Sequence, residues 1–225
     1  MIPWVQLGTA AVPGGDGELR LMQRGHEFSI FAGPIELMSS RLSGSEEALA
    51  SMTCSRVRDR PKPHVLIGGL GMGFTLRKAL AELGKDATVT VAELIPEVVA
   101  WAREPLAHIH GTSLSDPRVT IFEGDVGALI TGIQARYDAI LLDVDNGPVG
   151  LMRAANDDLY DAYGLGEAHK ALKPGGILAV WSATPDTAFE KRLRSAGYRV
   201  EDHRVRASSG GGGARHVIWL GTKVG

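Results

Sequence analysis

The sequence predicts an α/β protein: a mostly parallel sheet covered by helices on both faces, preceded by a small β unit. Three observations carry that prediction. From His64 onward, short apolar runs alternate with amphipathic stretches, as strands buried on both faces do when helices cover them. The first run, Val65-Leu66-Ile67, ends in four glycines within six residues (Gly68, Gly69, Gly71, Gly73), and a helical pattern follows. Ahead of it, residues 18–38 alternate apolar and polar side chains around glycine turns, which argues for hairpins.

Composition sets the limits. The 225 residues are 44% hydrophobic and 22% charged, enough for one ordinary domain with a small appendage. A formal net charge of -2 gives no electrostatic case for nucleic acid or an anionic membrane surface. The one cysteine, Cys54, excludes an intrachain disulfide and gives no metal framework. No apolar run reaches the roughly 18 residues of a membrane span, and the N-terminus lacks a basic-then-apolar signal. A cytoplasmic protein is the expectation.

Taken in order, residues 1–17 are rich in Gly and Pro and read as a loop or mobile arm. Glu18–Met22 and His26–Phe31 flank a turn at Gln23-Arg24-Gly25, and Ile35–Met38 adds a third short strand after Ala32-Gly33-Pro34. Ser43 and Glu46 fit a capping box before a helix over Ala48–Val57. These make a small N-terminal unit, residues 1–60, and the main domain is 61–225. There, strands are predicted at Val65–Gly68, Thr88–Ala92, Val119–Phe122, Ala139–Leu142, Ile177–Trp181, Tyr198–Val205 and Arg215–Leu220. Helices are predicted at Phe74–Leu83, from Pro96 to Leu106, at Val126–Gly132, over Asp157–Leu172 and at Asp186–Ala196, where Gly197 caps the last. Lys173–Gly176 is a turn. The final two strands are joined by the loop Ser208–Gly213 without a helix, so they form an antiparallel hairpin at the sheet edge.

Apolar strand, glycine turn and helix N-terminus together suit a nucleotide-binding loop. A P-loop needs lysine where Phe74 stands, and a dinucleotide loop G-x-G-x-x-G/A meets Phe74 or Leu76 at its last position. The pattern present is G-x-G-x-G (Gly69, Gly71, Gly73), which suits a nucleoside with a short amino-acid-like tail. Ligands of open α/β sheets lie beyond the strands' carboxyl ends. There Glu93 can accept both ribose hydroxyls. Asp125, in Glu123-Gly124-Asp125-Val126, fits either an exocyclic adenine amine or the cap of the next helix. Asp143, at the tip of its strand, would face the reacting end of the ligand. Asp145 and Asn146 fit local turn chemistry.

With these residues in view, positions 64–184 resemble the spermidine synthase group within the class I S-adenosylmethionine-dependent transferases. The resemblance rests on Val65-Leu66-Ile67-Gly68-Gly69, Glu93, Gly124-Asp125, the Asp143 strand end and Leu172-Lys173-Pro174-Gly175-Gly176; the N-terminal β unit looks like that family's β domain. It implies a Rossmann-like, seven-stranded class I methyltransferase fold. The donor would be S-adenosylmethionine or its decarboxylated form, held by Gly68, Gly69, Leu70, Gly71, Gly73, Glu93, Leu94, Gly124, Asp125, Val126 and Asp143. Asp143 would be the catalytic base that deprotonates an attacking amine. No metal is implied, the partner is a small-molecule acceptor, and a homodimer is the family expectation.

The chain departs from that family in places that bear on the substrate. The family loop G-G-G-D-G-G has an acid that helps hold the donor amine; reading the run from Gly68 puts Gly71 there. Without it, a donor that keeps its carboxylate escapes a like-charge repulsion of about 1–4 kcal/mol at ~4 Å. The family's D-S-S-D-P turn becomes Asp143-Val144-Asp145-Asn146-Gly147, and its Y-H-E becomes Ser45-Glu46-Glu47. Aminopropyl or methyl transfer to a small amine-type acceptor is the leading function. A small-molecule methyltransferase and a non-catalytic nucleoside-binding protein are the alternatives.

Other candidates read as structural. His64, His108 and His110 lack metal-ligand spacing. Trp181 lies near where an acceptor would sit, but indole packing in the core is the stronger reading. Tyr160 and Tyr163 read as half-buried helix residues, Cys54 as a small buried hydrophobe. Arg204, Arg206, Arg215 and His216 read as a solvated edge.

Overall fold

The computed structural model describes residues 2–13, 17–144, 158–208 and 213–224. Strands β1 (Val5–Ala11), β2 (Glu18–Arg24), β3 (Glu27–Ala32) and β4 (Ile35–Ser39) form one antiparallel sheet in sequential order. The loop reading of residues 1–17 is thereby corrected: Val5–Ala11 is a strand paired from Val5↔Gln23 to Ala11↔Glu18, with an irregularity between Gln6 and Gly8. Its glycine is there for close approach rather than for a loop. A Cβ on Gly8 would stand 2.7 Å from the Trp101 indole nitrogen.

The main unit contains β5 (His64–Gly68), β6 (Thr88–Glu93), β7 (Val119–Glu123), β8 (Tyr137–Leu142), β9 (Leu172–Ser182), β10 (Tyr198–Arg206) and β11 (Arg215–Lys223). Among the described residues its helices are α1 (Gly44–Val57), α2 (Phe74–Glu82), α3 (Pro96–Arg103), α4 (Ala107–His110), α5 (Gly127–Ile130), α6 (Ala162–Ala171) and α7 (Thr187–Ser195). The helix predicted from Pro96 to Leu106 stops at Arg103, and a second short one begins at Ala107. Glu104 leaves helical geometry because Pro105 disfavours the α region in the residue before it.

Seven strands lie in the order β10-β11-β9-β8-β5-β6-β7. The five from β9 to β7 are parallel, and β11 runs antiparallel to both neighbours, β9 and β10. Alternation along the strands sorts side chains onto two faces. Val65, Ile67, Val89, Val91, Leu141 and Ile218 pack with α1, α2 and α3. Leu66, Ile140, Leu142, Leu178, Val180 and Trp219 pack with α5, α6 and α7. Cys54 lies buried in the first core, and burial pushes its thiol up to about 12.

The turn Lys173–Gly176 sits inside β9 as a bulge: Tyr137 pairs with Leu172, and two residues later Ala139 pairs with Ile177. Asp138 pins it. Its buried carboxylate accepts from Lys173 Nζ at 2.6 Å, Arg60 at 3.2 Å and the His64 N–H at 2.8 Å, and Arg60 also donates to the carbonyl of Gly175 at 2.6 Å. These bonds hold its pKa below the ordinary value against the opposing effect of burial. Asp138→Asn is expected to cost about 2 kcal/mol, read as a lower urea midpoint with unchanged slope. An unchanged midpoint would mean the two cations do nothing for β9.

Strand order reverses between β5 and β8, where parallel sheets open a cleft at the carboxyl ends of their strands. The N-terminal sheet closes over this end, through a third core in which Leu19, Leu21, Phe28 and Ile30 meet Met72, Val98 and Trp101.

Candidate active site

Three glycines make the floor. Gly69, Gly71 and Gly73 have φ of 90°, 48° and 78°, a region that costs other residues about 1–2 kcal/mol. A Cβ on Gly69 would run into the Asp143 carbonyl oxygen, one on Gly73 into the His110 ring, and one on Gly71 would stand 3.0 Å from Met38 Sδ. The chain therefore passes close to β8 on one side, α4 on another and β4 above. Burial, then the charge of Arg77, pushes His110 down to about 4, so a neutral imidazole backs the loop.

Two adjoining hollows open above this floor. The larger encloses about 730 Å³ including its open mouth. Gly69, Gly71, Glu93, Leu94, Gly124, Val126 and Asp143 line it, with Ile95 and Val98 adding an apolar wall. Leu70, Gly71, Gly73, Phe74, Thr75 and Asp143 line the second, together with Glu46 and Trp181. Leu37 and Met38 roof both. Gly71 and Asp143 stand at the junction.

Glu93 is buried, and its oxygens accept from the N–H groups of Leu70 at 2.9 Å and Ile95 at 3.0 Å. It thus ties the glycine loop to the end of β6 while facing the larger hollow. Asp125 accepts from the Gly127 N–H at 2.8 Å, the capping geometry. Gly68 and Asp125 are not among the residues lining either hollow; the carbonyl of Gly68 instead takes the Asp143 N–H at 2.9 Å.

Asp143 is largely enclosed, and Thr75 Oγ1 donates to its Oδ2 at 2.6 Å. Burial raises its pKa to about 6, against the lowering effect of the Thr75 bond. Glu46 rises to about 7, first through burial and then through the charge of Asp143. Two facing carboxyls in one hollow titrate as a pair.

Glu46 is the site residue that sequence reasoning misassigned. The capping box does not form: Ser43 makes no side-chain cap bond, and Glu46 accepts from Ser45 Oγ at 2.7 Å and turns into the hollow. Glu47 instead lies by a surface groove beside Ser51 and Lys78. Thr75 was also missed as a site residue, although its place directly after the loop is a local signal. Trp181 lines the second hollow while packing edge-on against His216. Arg204, Arg206 and Arg215 are exposed as expected, but His216 is not on that edge and turns inward to Ser45.

The remaining candidates scatter. His64 contacts Thr90, His108 stacks on Phe28, Tyr160 is buried against Phe189, and Tyr163 is 63% exposed. Among the described residues no three His, Cys, Asp or Glu are grouped to hold a metal ion, and no helix is long and apolar enough to cross a membrane. Asp145, Asn146, Gly147 and the start of the helix expected from Asp157 lie outside the described residues.

A seven-stranded mixed sheet of this order, with a glycine loop after β5 and an antiparallel sheet ahead of it, is the class I S-adenosylmethionine-dependent methyltransferase fold. Within that class the chain belongs to the spermine/spermidine synthase family, whose domain model matches residues 44–193. It is 30% identical over 170 residues to the polyamine aminopropyltransferase of Mycobacterium tuberculosis, covering 72% of this chain and 31% of that protein. Similarity to putrescine N-methyltransferase 2 of Nicotiana attenuata is 34% over 119 residues, 52% of this chain and 30% of that one. The chain thus spans about a third of the length of these curated relatives. Spermidine synthase from Thermotoga maritima superposes with a TM-score of 0.76 over 97% of this chain and 72% of that one, at 16% identity.

Proposed function

We propose that this chain transfers an alkyl group, aminopropyl or methyl, from S-adenosylmethionine or its decarboxylated form to a small amine. The observation that carries this reading is Asp143: it lines both hollows, so one carboxyl serves the junction between donor and acceptor. The larger hollow suits an adenosyl group. Glu93 faces it from the end of β6, and Leu94, Ile95, Val98 and Val126 offer an apolar bed. The donor supplies its own sulfonium leaving group, so the chain's task is to position an amine and take its proton. Asp143, held by Thr75, accepts that proton, and Glu46 offers the second carboxyl to an incoming ammonium.

Methyl transfer is the second reading, favoured by the loop. Reading the family run G-G-G-D-G-G from Gly68, the acid's counterpart is Gly71, and Met38 lies over it. No acid meets the donor tail from the loop, and a relative carries the name putrescine N-methyltransferase.

Calorimetric titration with S-adenosylmethionine, the decarboxylated donor, methylthioadenosine and NAD tests the proposal. The sulfonium donors and methylthioadenosine are expected to bind. Binding of NAD alone would overturn the reading, and a full donor bound far better than the decarboxylated one would decide for methyl transfer. A homodimer and a cytoplasmic site of action are further proposals from the family resemblance; gel filtration checks the first.

A further inference from the structure

A row of side chains leads away from Glu46. Ser45 Oγ donates to Glu46 Oε2 at 2.7 Å and lies 3.0 Å from His216 Nδ1. Ser45 is buried at the start of α1, whereas His216 is half-buried on β11, its ring 4.6 Å from that of Trp181. The hydroxyl has one hydrogen. While Ser45 gives it to an ionised Glu46, the contact with His216 requires the imidazole hydrogen on Nδ1. If Glu46 is protonated, the row reverses: Glu46 donates to Ser45, Ser45 donates to Nδ1, and the imidazole hydrogen sits on Nε2.

We propose that Ser45 and His216 form a proton relay joining Glu46 to solvent, with His216 a positioning residue that never touches the acceptor. The inference rests on the reading of Glu46 as an acid facing an amine. An aliphatic amine arrives as an ammonium and must shed one proton before its lone pair can attack; a second leaves as the new N–C bond forms, and that is the one Asp143 takes. The first passes to the Glu46 carboxylate; the His216 ring exchanges its hydrogen from Nδ1 to Nε2 through solvent, then the Glu46 O–H gives a proton to Ser45, Ser45 gives its own to Nδ1, and Nε2 releases one to water. Along the row one proton enters from the amine and one reaches solvent, with no other bond changed. The charged groups facing the row are Asp143 from the end of β8 and Glu47 on α1. Burial holds His216 below its ordinary value, so the neutral ring passes protons by exchanging tautomers.

Nitrogen-15 imidazole spectra of the whole chain across the pH range test the row without turnover. The His216 tautomer is expected to change from Nε2–H to Nδ1–H as Glu46 ionises, and Ser45→Ala is expected to uncouple the two. One tautomer at every pH, or coupling that survives Ser45→Ala, would overturn the relay. Kinetics with a panel of aliphatic mono- and diamines give the second readout. In His216→Asn the amide still donates to Ser45 but cannot pass a proton, so kcat is expected to fall about tenfold at unchanged KM. Full kcat in that variant would overturn the relay. Absence of turnover by the unaltered chain with any amine would overturn the transfer reading instead, and the spectra alone would then decide the relay.

Discussion

Asp143→Asn is expected to lower turnover by about 10²–10⁴-fold and, above about pH 7, to make the protein more stable by about 2 kcal/mol. Both effects come from one carboxyl. Asn keeps the size of the side chain and can still accept from Thr75, so donor affinity should change little while the proton acceptor is gone. The stability change follows from the sign of the shifts. Asp143 and Glu46 are raised in the folded state, to about 6 and about 7, so between the ordinary carboxylate values and these the folded chain binds protons that the unfolded chain has released. Stability then falls as pH rises through that window. Removing the Asp143 charge relieves its own desolvation and the repulsion on Glu46. The gain is near zero at about pH 4, grows as pH rises through the window and is complete above about pH 7. Chemical denaturation at both ends of the window, with steady-state kinetics, checks this; unchanged turnover would remove Asp143 from the chemistry, and a gain equal at both pH values would remove the charge explanation.

Gly69→Ala is expected to cost at least about 3 kcal/mol and to abolish measurable donor binding. Its φ of 90° is already unfavourable for alanine, and the added Cβ runs into the Asp143 carbonyl oxygen, which is main chain and cannot swing away. Loop and β8 would have to separate just where the two hollows meet. Gly132 is the control: its φ is 74°, but nothing lies within 4 Å of a Cβ there. Gly132→Ala should therefore show only the left-handed strain, about 1–2 kcal/mol, and keep full donor affinity. Equal losses in the two variants would show that backbone strain alone, and no close approach, demands glycine at position 69.

The contrast explains what could be read from sequence. The alternating strands, the glycine loop and Glu93 are local patterns, each set by residues within a few positions of one another. β1 was hidden because Gly8 and the Pro13-Gly14-Gly15 run that follows imitate a loop; only the approach of Trp101 explains the glycine. Glu46 was hidden by a better-known local use, the capping box. The break in α3 was legible at Pro105 and overlooked. His216 had no local signal at all, since its partner Ser45 lies 171 residues away; no periodicity links two such positions, and only the placement of β11 beneath α1 joins them. The second hollow is assembled from β4, α1, the glycine loop with the start of α2, the residues after β8, and β9, so its chemistry could not be read from any single stretch.

That placement of β11 also bears on how the molecule comes together. Arg215–Lys223 follows every other described strand in sequence, yet it lies inside the sheet, hydrogen-bonded to β9 on one side and β10 on the other. Until β11 is made, β9 is open-edged and β10 lacks its one neighbour among the described strands. Such an uncovered apolar edge invites pairing with other chains, so the span between synthesis of Ser182 and of Lys223 is the interval of greatest exposure to misassembly.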